Sequence, residues 1–144
     1  MSFRYSVTAR FHEVDRAGIV FFGHVFEYAH ICFEEMLHAA FGSPDSVFGE
    51  LGFALPLVHS EASFSRPMRQ GDRLEVAMEV EAVTGRSITF VYRLYGQGNT
   101  EDLRATVRLK HAFVSFPDFG PAQRSPVFDA GLARVGLLPA ADLD

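Results

Sequence analysis

The chain reads as an α+β domain in which an antiparallel sheet of about five strands wraps around one long helix. Three observations predict this. One long stretch carries helical periodicity. Several stretches of alternating apolar and polar residues accompany it, separated by turn signals. A lone apolar helix must also be buried against something, and a single sheet is the available partner.

Each element follows from local pattern. Residues 5–11 (YSVTARF) alternate loosely and predict a first strand, with HEVDRAG behind it as a loop. From His24 to Phe41, the residues Val25, Phe26, Ala29, Cys32, Phe33, Met36, Leu37 and Ala40 recur at three- and four-residue steps. Gly42, Ser43 and Pro44 stop that helix. Residues 45–52 carry no clear pattern. LPLVHSEASFSRPM (55–68) reads as a strand that ends at a turn over 69–72. Residues 74–83 alternate, with Leu74, Val76, Met78 and Val80 on one face and Glu75, Glu79 and Glu81 among those opposite. Gly85 breaks this run, and 86–96 answers it as a hairpin partner. GQGNTED makes a second turn into a strand over 103–116. From about Pro117 the chain holds four Pro and three Gly and predicts an irregular tail, with room for a short helix near 129–136.

Bulk properties narrow the function. At 144 residues, 1–144 is most simply one domain with one core. The net charge of −5 argues against a nucleic-acid binder. Cys32 is the one cysteine, which excludes an intrachain disulfide or a thiolate metal cluster. No apolar run approaches the ~20 residues that cross a bilayer, and the start of the chain lacks a signal-peptide core, so a cytoplasmic protein is expected. Fifteen Phe and four Tyr, without Trp, can line a core or an apolar pocket generously. A sheet wrapped around one helix leaves an edge strand and a face uncovered, and a second copy would supply both.

The stretch Asp15 to His30, DRAGIVFFGHVFEYAH, raises a specific question. A carboxylate directly before so apolar a segment loses hydration. Either Asp15 caps a turn, or its poor solvation is put to use.

The element order, joined to Asp15, Gly18, Ile19, Val20, Phe21 and Phe22, resembles the hot-dog-fold acyl-CoA thioesterases, and most of all the 4-hydroxybenzoyl-CoA thioesterase family. Its pattern is Asp-x-x-Gly-[Ile/Val]-Val-aromatic-aromatic between the first strand and the long helix. The resemblance implies that Asp15 attacks a thioester carbonyl or activates water, and that the Phe22 backbone N–H receives the oxyanion. It also implies an active site across a homodimer interface, with two dimers forming a homotetramer. Relatives tied to the Tol–Pal envelope system carry a Tyr and a His where this chain has Phe11 and Phe22, which favours the aryl-CoA branch or its naphthoyl-CoA relatives. The 4-hydroxybenzoyl enzyme has an acidic residue where this chain has His30, which counts against the para-hydroxy substrate itself.

Thioester hydrolysis needs a nucleophile or base, a place for the developing oxyanion and a leaving thiolate. Asp15 fits the first role. The backbone N–H groups of Phe22 and Gly23, at the helix start, fit the second. Gly18 allows close backbone approach or positive φ. His24 is a candidate to orient water or contact the thioester, against a plain helix-start residue. His30 is a candidate for the acyl pocket, and His59 and Ser60 for the same pocket across the dimer. Glu34 stands as a minor alternative carboxylate. Arg86, Ser87, Arg108 and Lys110 are candidates for the phosphates of coenzyme A. His12, Glu13, Asp15 and His24 match no recognised zinc spacing, so no metal is expected. No separate cofactor is expected either, because coenzyme A arrives with the substrate. Two other readings compete: a non-catalytic acyl-CoA-binding module, and a dehydratase on the same scaffold. A broad short- or medium-chain thioesterase is the alternative in substrate range.

Overall fold

A computed structural model describes residues 2–139. The first strand, β1 (Phe3–Thr8), leads through a tight turn and the Asp15 loop into helix α1 (His24–Phe41). One wide helical turn (Ser46–Glu50) and a short strand, β2 (Phe53–Ala54), follow. Four longer strands then build the sheet: β3 (Leu57–Phe64), β4 (Arg73–Val83), β5 (Ser87–Gly96) and β6 (Leu103–Ala112). A short β7 (Val114–Ser115) and helix α2 (Pro126–Arg134) close the described chain. The main sheet has five strands in the order β1-β4-β5-β6-β3, every pair antiparallel. This is the predicted architecture.

Helix α1 begins and ends where its apolar stripe and Gly42 predict. Gly42 has φ +87°, and its N–H donates to the His38 carbonyl, a helix stop that glycine adopts without a Cβ penalty. The buried face of α1 lies on Leu74, Val76 and Met78 of β4, Ile88, Phe90, Tyr92 and Leu94 of β5, and Ala105, Val107 and Leu109 of β6. Alternation along each strand puts these on one side of the sheet.

Three expectations shift. The first strand spans Phe3–Thr8 rather than 5–11, because residues 11–13 form a single 3-10 turn that diverts the chain. Residues 65–68 lie beyond the end of β3 rather than within it. The region from Pro117 is irregular only as far as Ser125, where α2 starts, three residues before the expected position. Ser125 caps that helix by accepting the Phe128 N–H (3.3 Å), and Pro126 fills its first position. Phe128 is fully buried among Phe41, Phe53 and Phe113, so α2 joins the core.

At the two edges of the sheet lie β1 and β3. Every residue of β3 except Ala62 is exposed, including Leu57, Val58 and Phe64. At the end where β4 begins, Arg104 lies 2.7 Å from Asp72 and 2.9 Å from Asp102, and donates to the Pro67 carbonyl. This ties β6 to the segment that follows β3.

Candidate active site

The Asp15 loop is a miniature hairpin. Val14 and Val20 face each other as an antiparallel bridge. Between them the Asp15 N–H donates to the Ile19 carbonyl (2.8 Å), and the Gly18 N–H to the Asp15 carbonyl (3.0 Å). Gly18 sits at φ +84°, as the motif requires of it. Three further contacts fix the loop in the fold. Ile19 bridges Arg69, the Val20 N–H donates to the Met68 carbonyl (2.7 Å), and the Phe21 N–H donates to the Glu13 carbonyl (2.9 Å).

Asp15 takes the first of the two roles the sequence allows, that of a turn residue. Its Oδ1 accepts the Ala17 N–H (2.8 Å), which holds the turn. Its Oδ2 takes no hydrogen bond among the described residues. Seven residues on, the N–H groups of Phe22 and Gly23 also find no acceptor among the described residues. Gly23 is the helix N-cap and has no side chain to satisfy them, so they carry the partial positive charge of a helix start.

Asp15 and Phe22, though not Gly23, line one cavity of about 410 Å³. It is lined by Asp15, Ile19, Val20, Phe21 and Phe22 on one side and by Phe64, Ser65, Arg66, Pro67 and Met68 on the other. The walls are mainly apolar. The expected loss of hydration at Asp15 is not supplied within one chain, however: Asp15 is exposed on the rim, and Phe21, Phe22 and Phe64 beside it are 48%, 61% and 50% exposed. The apolar surface is in place and uncovered.

The remaining candidates lie elsewhere. Gly18 shapes the loop but does not line the cavity. The Nδ1 atom of His24 is 3.5 Å from the Glu27 carboxylate, and its ring meets Phe21 and His12 edge-on. Glu13, His24 and Glu27 bring possible ligand atoms within 4.8 Å of one another, a compact polar cluster beside the loop. His30 lines a separate cavity of about 160 Å³ with Phe33, Glu34, Leu37, Pro44 and Phe48. His59 and Ser60 are successive residues of β3 and so point to opposite faces. Ser60 is in register with Leu109 on the helix side and His59 with Lys110 on the outer side.

The phosphate candidates are equally dispersed. Arg86 and Ser87 sit in the β4–β5 turn, where both N–H groups donate to the Thr84 hydroxyl. That turn is at the far end of the sheet from the Asp15 loop. Arg108 is engaged by Glu81, whose two carboxylate oxygens lie 2.7 and 3.1 Å from Nε. Lys110 is exposed.

Two features were not read from the sequence. The segment Phe64–Met68 supplies half of the cavity, through pairings of Ile19 and Val20 that no local pattern announces. Glu13 is a carboxylate only 5% exposed, held by the Tyr28 hydroxyl (2.8 Å).

Residues 9–132 match the thioesterase-like superfamily. The chain belongs to that superfamily. A 1,4-dihydroxy-2-naphthoyl-CoA hydrolase of Prochlorococcus marinus is 32% identical over 115 residues, which cover 75% of this chain and 72% of that protein. The protein of the same description from Nostoc punctiforme is 33% identical over 94 residues, covering 65% of this chain and 64% of its own length. The crystal structure of a 1,4-dihydroxy-2-naphthoyl-CoA thioesterase from Synechocystis superposes with a TM-score of 0.81 at 23% identity, over 92% of this chain and 96% of that one. The hot-dog fold expected from the sequence is thus the fold observed. By their names these relatives are thioester hydrolases, and this thioesterase-like chain stands among such enzymes.

Proposed function

We propose that the chain hydrolyses an acyl-CoA thioester carrying an aromatic or similarly bulky acyl group, releasing the free acid and coenzyme A. One observation carries the reading. A single apolar cavity is lined both by Asp15, one of whose carboxylate oxygens has no partner among the described residues, and by Phe22, whose N–H at the helix start has none there either.

The chemistry follows from those two groups. A thioester carbonyl placed between them would have its carbon facing Asp15 and its oxygen facing the helix start. Asp15 can take a proton from water while the water oxygen attacks that carbon. It can instead attack directly, giving a mixed anhydride that water cleaves after the thiolate departs. Either way the carbonyl oxygen becomes negative, and one oriented donor there is typically worth about 3 kcal/mol of barrier. Covering the apolar rim would exclude bulk water from around Asp15. No cofactor takes part in this scheme beyond the coenzyme A of the substrate.

A homodimer is part of the proposal, and a tetramer of two such dimers its extension. Strand β3 is an exposed edge with apolar residues, and an edge of this kind pairs readily with its own copy. Two copies of β3 running antiparallel about a two-fold would set the Leu57 end of one beside the Phe64 end of the other. His59 and Lys110 of one copy, together with its Arg86–Ser87 turn, would then approach the Asp15 cavity of its partner. This would unite candidates that lie apart in a single chain. Lys110 and Arg86 would serve as phosphate contacts in this arrangement, and His30 would contact the acyl group. A cytoplasmic setting belongs to the same reading.

The exposure of Asp15 and its role in the turn favour a second reading, an acyl-CoA-binding module without turnover. A panel of benzoyl-, hydroxybenzoyl-, dihydroxynaphthoyl-, phenylacetyl- and medium-chain CoA esters separates them. The proposal expects thiol release, fastest with the aromatic esters. Binding of those esters without release would establish the module, and a preference for straight chains would overturn the acyl assignment.

A further inference from the structure

We infer that Glu13 is a positioning residue, a buried clamp that fixes the Asp15 carboxylate relative to the oxyanion-binding start of α1. This rests on the hydrolytic reading above.

A carboxylate 5% exposed is unusual, because removing an ion from water costs several kcal/mol unless hydrogen bonds compensate. Here they do. Oε1 of Glu13 accepts the Arg10 N–H (2.7 Å) and the Tyr28 hydroxyl (2.8 Å). The Tyr28 side chain is itself buried, and burial together with Glu13 pushes its phenol well above its ordinary pKa, so it remains a donor. A leucine at position 13 would satisfy burial alone. The carboxylate adds direction.

That direction links both halves of the reaction centre. Through its side chain, Glu13 is tied to Tyr28, just over one turn into α1. Through its main chain, its carbonyl accepts the Phe21 N–H (2.9 Å), directly before the free N–H of Phe22. Through the chain itself, Asp15 lies two residues on. One residue therefore spans the loop that carries the acid and the helix start that carries the donors. A misplacement of about 1 Å between such groups can cost about 100-fold in rate.

The test uses Glu13→Ala, Tyr28→Phe and Glu13→Gln, with Gly131→Ala in α2 as a control that strains the core far from the loop. Turnover of the preferred CoA ester is measured well below each melting temperature, alongside amide exchange at Asp15 and Phe21. Glu13→Ala should lower kcat about 100-fold while KM stays within about threefold. Its two amides should exchange faster. Tyr28→Phe should lose part of the same activity, and the double variant should be no worse than Glu13→Ala alone, since both break one network. Glu13→Gln keeps the oxygen that accepts both hydrogen bonds and should retain kcat. Gly131→Ala should melt earlier at unchanged kcat.

A Glu13→Ala protein with wild-type kcat and exchange, or one losing activity only with its folded fraction, overturns the clamp. Should Glu13→Ala not fold, Tyr28→Phe carries the same comparison. A wild type that hydrolyses none of the panel overturns the hydrolytic reading and, with it, the purpose assigned to Glu13.

Discussion

The two oxygens of the Asp15 carboxylate are not equivalent: one is bound to the Ala17 N–H and the other has no partner among the described residues. The motif located this residue, but the buried partner of its loop was illegible. Glu13 reads as one more polar loop residue, and no local pattern pairs it with Tyr28 on the buried face of α1. Their side chains meet across 15 residues of sequence (2.8 Å). Glycines show a similar split. Gly18 has open space around it, so Gly18→Ala should cost only its positive-φ strain, about 1 kcal/mol. At Gly131 an added Cβ meets the Phe41 ring. Overpacking of about 1–3 kcal/mol outweighs the about 1 kcal/mol of helix propensity that alanine returns, and Gly131→Ala should melt earlier. His111 adds a pH dependence. Burial holds its pKa below the usual 6.5, while its Nδ1 donates to the Leu55 carbonyl (2.9 Å) and Nε2 has no partner among the described residues. Below pH 6.5 the unfolded chain takes up a proton that the folded one resists, so stability falls on acidification. Thermal melts across that range should show a shallower loss in His111→Gln than in the wild type.

Among the elements, α1 was legible to the residue because a stripe at 3.6-residue spacing and a glycine stop agree with each other. Strand β1 is displaced because the loose alternation of YSVTARF runs on past Thr8, up to where residues 11–13 turn the chain. No period-two pattern reveals a turn enforced by a buried glutamate. Helix α2 started early although its signal, Ser125-Pro126, was present, because proline and glycine counts in the tail obscured it. Replacing Ser125 by Ala should cost about 1 kcal/mol, read as a lower denaturant midpoint at unchanged slope. The cavity was the least legible feature. Its second wall, Phe64–Met68, is set by bridges between segments about 50 residues apart, and sequence periodicity describes only local order.

At the scale of the whole molecule, one chain holds the groups proposed to react, Asp15 and the Phe22 N–H, and leaves them uncovered. In the proposed homodimer, a second copy would cover the edge strand β3 and the exposed Phe21, Phe22 and Phe64, and would bring its Arg86–Ser87 turn towards them. A charge on the edge should therefore separate assembly from folding. Val58→Lys, at a residue 57% exposed in one chain, should shift the sedimenting species from dimer to monomer, with thiol release falling in parallel. A Val58→Lys protein that stays dimeric and active would remove β3 from the interface. The most direct measurement remains thiol release from the preferred CoA ester by the wild type and by Asp15→Asn. Asparagine keeps the oxygen that accepts the Ala17 N–H, so the loop should hold and the melting temperature should be unchanged. Turnover should fall at least about 100-fold; an Asp15→Asn protein that hydrolyses the ester at the wild-type rate would contradict the account.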